Sequence, residues 1–427
     1  MTHTLRKHTP TRFGGMMIIA GTAIGAGMLA NPTATSGVWF TGSVLVLLYV
    51  WLSMYLSGLM LLEATLHFEH GASFHTVVRE LLGPGWSLIM GLAVTFVLYS
   101  LTYAYIFVGG GLTQNSVTHL TGLLMQQPLE VTREWSSVLF LAVLATSVWV
   151  STKVVDRFAT LLISGMLVSF FLSTGSLLHS VSPAVLLDSQ APSESSYWRY
   201  AWAALPVCLA SFGFHGNVPS LVSYYNKQAQ PVARSILWGS LLALAMYLLW
   251  QLAVQGNLPR SEFTPVIAVD GDVSALLMAL NRYVTTDTIA RFLNAFAFMA
   301  IASSFLGVTL GLFDYLRDLF GFADTALGRL KTAAVTFLPP LIACLLLPTG
   351  FVKVMGYVGL MAAIWAALVP ALLVRASRQR YPKANYQVRG GAWAIGFVVL
   401  FAVTVFCVQV LLLLGELPLF TGVVLSL

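Results

Sequence analysis

Two short runs hold the residues of this sequence best suited to chemistry: GTAIGAGM at 21–28 and LPVCLASFGFHGNVPS at 205–220. The first places Gly21, Gly25 and Gly27 within seven positions, and the second sets Pro206, Gly213, Gly216 and Pro219 around His215 and Asn217. A glycine inside a helix costs about 1 kcal/mol relative to alanine, and an internal proline costs more. Both runs therefore predict helices that stop and restart. A helix that stops at Gly25–Gly27 exposes free N–H groups at the start of its second half, with the positive end of the helix dipole behind them. Such a terminus binds a carboxylate without any arginine. The carbonyl ends of the first half-helices suit an ammonium, so a break of this kind can clamp a zwitterion.

The elements that carry these runs follow from composition. Hydrophobic residues make up 58% of the 427 and charged residues 9%, with a mean hydropathy of +0.83. Soluble domains carry roughly 25% charged residues. Charges are absent from Phe13 to Leu62, Leu82 to Leu129, Phe292 to Phe313, Thr332 to Val352 and Val354 to Val374. Windows of about 20 uncharged residues are the mark of a spanning helix, and the alternation of a membrane barrel is nowhere visible. The chain reads as an all-α polytopic membrane protein, one integral domain over 1–427. Eleven transmembrane helices are expected, over roughly 13–35, 42–66, 86–112, 135–150, 157–178, 201–224, 235–255, 290–313, 332–348, 353–374 and 393–415.

The two glycine-rich runs fall in spans one and six. These open two groups of five (13–178 and 201–374), and span eleven is an extra C-terminal helix. Because five is odd, the second group enters the membrane from the opposite side. The pattern predicts a five-plus-five inverted repeat whose broken helices 1 and 6 meet at the bilayer midplane, although no residue-level similarity joins the halves. With the N-terminus inside, sixteen of the 22 basic residues fall on the cytoplasmic side and six on the other. That bias predicts a cytoplasmic N-terminus and a periplasmic C-terminus. It also explains the net charge of +6 without nucleic acid, since basic flanks face anionic lipid.

The first apolar run continues past the 7–15 residues of a cleaved signal core. Cys208, Cys344 and Cys407 lie in separate spans and read as small apolar packers. No phosphate loop, HExxH, GxSxG or dinucleotide fingerprint occurs, so neither an enzyme nor a cofactor is expected. A channel needs a continuous polar path, whereas polar residues here gather at the breaks. A sensor needs a signalling module, and no inside segment exceeds roughly twenty residues. The carboxylate and ammonium of an α-amino acid sit on one carbon, which suits the clamp. Nothing in the sequence sets an oligomeric state.

Long runs of the sequence resemble the tryptophan-specific branch of the bacterial aromatic amino acid permeases, in the amino acid–polyamine–organocation superfamily. The resemblance runs from about Gly14 to Leu417. Its carriers are IIAGTAIGAGM, SGLMLLEA, VLYSLTYAYI, LPVCLASFGFHGNVPSL, ASSFLGVTLGLFDYLRDLFGF and GRLKTAAVTFLPP. It implies a symporter in the bacterial inner membrane that imports an aromatic amino acid with a proton. Tyrosine-transporting members share many of these motifs. One position departs: proton-coupled relatives carry a lysine in span five where this chain has Met166. Ser303 and Ser304 stand where sodium-coupled members of the wider fold place hydroxyl ligands, so sodium remains an alternative coupling ion.

With that resemblance, the expected substrate residues are Thr22, Gly25, Ala26, Gly27, Tyr103, Phe212, Gly213, Phe214, His215, Asn217 and Ser304, and the expected ion-coupling residues are Glu63 and His215. Phe212 and Phe214 flank Gly213; they either sandwich an aromatic ring or pack the core. Asn217 either accepts an indole N–H or satisfies freed backbone. His215 is either a ring bonded to a carbonyl or an ionisable group at work inside the membrane. Glu63, after fifty residues without charge, either snorkels to the interface or carries the proton on a desolvated carboxyl. Tyr99, Tyr103 and Tyr105 in span three are candidates to line the site; Tyr103 is the one chosen, a choice the resemblance drives. The loop Gly256–Ile289 has the length of a lid.

Overall fold

The computed structural model describes residues 11–421 apart from 71, 126–129, 190–196, 284–285, 324 and 349. Helices account for its regular structure, and no strand occurs among the described residues. In chain order they are α1 Arg12–Ala23, α2 Ala26–Ala34, α3 Trp39–Thr65, α4 Phe74–Leu82, α5 Pro84–Met125, α6 Arg133–Val150, α7 Thr152–His179, α8 Pro183–Leu186 and α9 Ala201–Ser211. They continue with α10 Val218–Tyr224, α11 Ala229–Gln255, α12 Thr264–Ile267, α13 Val273–Asn281, α14 Asp287–Phe320, α15 Ala326–Leu346, α16 Phe351–Ala362, α17 Val369–Arg380 and α18 Gly391–Leu413. Among the described residues, ten stretches are long and apolar enough to cross a membrane, and eleven when the bent pair α1–α2 counts as one. All eleven expected spans have a counterpart.

The largest boundary difference is at span three. The expected 86–112 segment is part of the 42-residue α5, about 63 Å of helix at 1.5 Å per residue, against the roughly 20 residues a bilayer core requires. The sequence 113–122 is too polar to read as membrane but holds no proline to stop a helix. The loop 256–289 also folds more than its polarity suggests. A 3-10 turn, α12 and α13 drive Leu258, Phe263, Val266, Leu276, Leu277 and Leu280 into the core, each at most 1% exposed.

One further irregularity shapes the interior. Between α16 and α17 the helix widens into a π-turn at Ala363–Leu368. Pro370 lacks an N–H and its ring clashes with the carbonyl four residues earlier, at Ala366. That carbonyl instead accepts the Ser57 hydroxyl from α3. Single wide turns of this kind gather at functional sites.

Candidate functional site

The first break lies where the glycines predict it. α1 ends at Ala23, Ile24 and Gly25 are extended, and α2 leaves at an angle of 52°. Gly25 has φ 170°, a torsion any residue adopts, so another constraint selects glycine there. A Cβ on Gly25 would stand 2.5 Å from Ser304 Oγ, which accepts the Ala26 N–H at 3.1 Å. Gly27 is needed for packing: its Cβ would meet the Ser211 Cα at 3.0 Å. The N–H groups of Gly25 and Gly27 have no protein acceptor among the described residues.

The second break separates α9 from α10. Tight turns at Phe212 and Phe214 lead into a 3-10 turn over His215–Asn217. The two breaks are joined by Tyr247 of α11. Its hydroxyl lies 2.6 Å from Ala23 O and 2.5 Å from Ser211 O, the carbonyl ends of the two first half-helices. One hydroxyl proton thus serves two acceptors. On the other side, Asn217 Nδ2 donates to Thr22 Oγ1, which donates in turn to Ile18 O. That bond fixes the amide and leaves Asn217 Oδ1 as a free acceptor.

Both breaks face one cavity of about 600 Å³, within the roughly 300–1,000 Å³ of small-molecule sites. Thr22, Gly25, Ala26, Gly27, Gly213, Asn217 and Ser304 all line it. Gly21, Thr22, Gly216 and Gly307 are exposed along it, so it opens at the end of the bundle where α1 begins.

Five expected residues sit elsewhere. The Tyr103 hydroxyl donates to Leu347 O at 2.6 Å. Phe212 packs edge-on against Tyr247, and Phe214 fills the space beside Gly58, both fully buried. They wall the core and not the cavity, because the turn that frees the backbone also rotates these side chains toward α11 and α3. His215 is fully buried, stacked on Phe214 at 4.6 Å and edge-on to Trp365 at 6.1 Å. Neither ring nitrogen has a partner in hydrogen-bonding geometry, although the Met54 backbone is within interaction range. Glu63 neither snorkels nor stands free. Its carboxylate, 1% exposed, accepts Arg378 Nε at 2.7 Å, Arg378 Nη2 at 2.9 Å and the Val388 N–H at 2.6 Å. Three donors make it a tie between α3 and α17.

The cavity's aromatic wall comes from Phe74 of α4 and Trp365 of the π-turn, which the sequence did not single out, and from Tyr105 of α5, the span-three candidate set aside for Tyr103. Tyr105 is within hydrogen-bonding reach of Ser304. A signal for it exists: Met90, Val94, Val97, Leu101 and Tyr105 make one helical stripe, and Tyr103 lies off it. Met166, 2% exposed, is ordinary core.

The opposite end is sealed. Arg260 is buried and donates to Ser36 O at 3.1 Å and Gly37 O at 2.7 Å, just past α2. It also pairs with Asp188 at 3.7 Å and stacks on Tyr197 and Phe420. Burial lowers its pKa, and Tyr197, Asp188 and Tyr200 oppose the shift. Arg133 and Asp272 close the neighbouring face at 2.8 Å.

The cavity lies between two broken apolar helices, open at one end and closed at the other. The profile of the tryptophan/tyrosine permease family matches residues 8–409. The chain is 57% identical over 418 residues to a tryptophan-specific transport protein of Haemophilus influenzae, covering 98% of this chain and 100% of that protein. A tryptophan-specific transport protein of Pseudomonas aeruginosa is 47% identical over 409 residues, 96% of each chain. A tyrosine permease of Enterobacter agglomerans is 41% identical over 386 residues, 90% of this chain and 91% of that one. On the fold, the cavity and this likeness, the chain belongs to the tryptophan/tyrosine permease family, multi-pass membrane proteins that are permeases and not enzymes.

Proposed function

We propose that this chain imports L-tryptophan together with a proton, by alternating access, across the bacterial inner membrane. The observation that carries the reading is the cavity at the two breaks, where free N–H groups at Gly25 and Gly27 meet an aromatic wall. The carboxylate takes the α2 N-terminus, the ammonium faces the carbonyl ends, and the side chain lies against Trp365, Phe74 and Tyr105. The indole N–H goes to Asn217 Oδ1. Basic-residue bias supports a cytoplasmic N-terminus and a periplasmic C-terminus, which makes the open end cytoplasmic and this conformation inward-facing. The paired breaks support the inverted repeat.

Tyrosine is the second reading, favoured by the 41% identity to a tyrosine permease. Uptake of labelled tryptophan, tyrosine and phenylalanine into proteoliposomes, with pH and sodium gradients imposed separately, tests both. The reading expects tryptophan to accumulate with the inward proton gradient and to be indifferent to sodium. Accumulation that collapses without sodium at constant pH overturns the proton assignment.

A further inference from the structure

The seam between α11 and α2 holds polar side chains where apolar packing asks for none. Tyr247, Gln251 and Gln255 recur at i, i+4 and i+8, so they share one face of α11, and all three are fully buried. Gln251 Nε2 donates to Thr35 Oγ1 at 2.6 Å. Gln255 Nε2 reaches Thr35 Oγ1 and Pro32 O, each at 3.4 Å. Thr35 donates to Asn31 O at 2.7 Å, and Ser211 Oγ lies 3.0 Å from Asn31 Oδ1. Polar contacts thus run unbroken from the helix breaks to the residues beside Arg260.

Three atoms of this seam, Gln251 Oε1, Gln255 Oε1 and Asn31 Nδ2, are buried without a partner among the described residues. Turning any of these amides leaves its other end to be paired. A buried polar group left unpaired is costly, and the two glutamine oxygens along one seam point to an electropositive ligand that satisfies them. From Tyr247 to Gln255 the helix rises about 12 Å. The inner end is the pair of carbonyls Ala23 O and Ser211 O, the negative ends of two half-helices. The titratable groups near Tyr247 are Tyr105 and Cys208. The charged pair at the outer end is Arg260 with Asp188.

Neutral, hard oxygen donors on a path that ends between two negative helix termini suit a small monovalent cation. We propose that this seam is the route by which the coupling cation, a hydronium or sodium ion, reaches the substrate break from the sealed end. The inference rests on the symport reading above. The cation exchanges water for the Thr35 hydroxyl and the glutamine amide oxygens. It then passes the Ala23 and Ser211 carbonyls in place of the Tyr247 hydroxyl, leaves those oxygens to the substrate ammonium, and exits through the cavity. Arg260, a cation at the mouth, excludes other cations while that end is closed.

Gln251→Met, Gln255→Met and Thr35→Val keep side-chain size and remove the polar atoms. Proteoliposomes carrying each variant are assayed in two ways: exchange of labelled tryptophan with equal ions on both sides, and uptake driven by a pH gradient or, separately, a sodium gradient. The seam predicts driven uptake down by about tenfold with exchange within about twofold of the parent. The gradient that drives the parent names the ion. Driven uptake equal to the parent in all three variants overturns the proposal. So does exchange that falls in parallel with driven uptake in all three, since the seam is then packing alone. A parent driven by neither gradient removes the symport reading and the seam with it, whereas a driven parent matched by its variants removes the seam only.

Discussion

Ser304 Oγ accepts the Ala26 N–H at 3.1 Å and occupies the space that a side chain at position 25 would need. The glycine at the break is thus set by a neighbour from α14, since its own torsion is ordinary. Gly25→Ala should push Ser304 aside, disorder the α2 N-terminus and weaken tryptophan binding by about tenfold or more. Removing the hydroxyl leaves only the Ser304 Cβ, 3.9 Å from the added methyl, an ordinary contact. Gly25→Ala with Ser304→Ala should therefore bind more tightly than Gly25→Ala alone, measured by equilibrium binding. Equal affinities in the single and double variants would show that the contact is not the constraint.

The sequence made the breaks legible because glycine and proline inside an uncharged run have few innocent explanations. It made the spans legible for the same reason that hydropathy works: backbone in lipid must be helical. Side-chain direction at the second break was not legible. Phe212 and Phe214 flank a glycine, but whether such rings face a cavity or a core is decided by α3 and α11, which pack on them from 150 and more residues away for α3 and about 30 for α11. Trp365 was equally hidden. Its place depends on the wide turn before Pro370, and a proline in a long apolar run does not say which residues the widened turn presents.

Trp365 gives the second prediction. It lines the cavity and touches Phe74 at 6.3 Å and His215 at 6.1 Å. Trp365→Ala should raise the KM for tryptophan by about tenfold, since an aromatic pair is worth about 0.5–1.5 kcal/mol beyond burial. Trp365→Phe should recover most of that loss. Phe214→Ala, by contrast, should lower thermal stability by about 3–5 kcal/mol as a core cavity, with fluorescence-detected melting as the readout.

Asn217 tests the indole contact. With Nδ2 given to Thr22, Oδ1 remains to accept the indole N–H. The parent should prefer tryptophan over 1-methyltryptophan, which lacks that donor and adds bulk. Asn217→Leu should narrow the ratio, in competition uptake assays, while His215→Leu should leave it unchanged because His215 does not line the cavity. An unchanged ratio in Asn217→Leu moves the acceptor elsewhere in the wall.

Glu63 and Arg378 form a tie that is costly to break from one side, about 3–5 kcal/mol for a buried partner left uncompensated. Glu63→Ala should lower the melting temperature of the purified protein markedly. The pH profile of whatever uptake remains should match the parent if the three donors to the Glu63 carboxylate make it a structural tie. A profile shifted in Glu63→Asp, which keeps the charge and shortens the arm, would return Glu63 to the coupling path.

The central claim is that the α2 N-terminus holds the substrate carboxylate. Calorimetric binding of L-tryptophan and of L-tryptophanamide to the purified parent tests it most directly, since the two ligands share the indole and the amino group and differ in the group the N–H cluster is built for. The account predicts that the amide binds about a hundredfold or more weakly, the loss of a charge-assisted contact at a helix terminus. Equal affinity for the two ligands would contradict it.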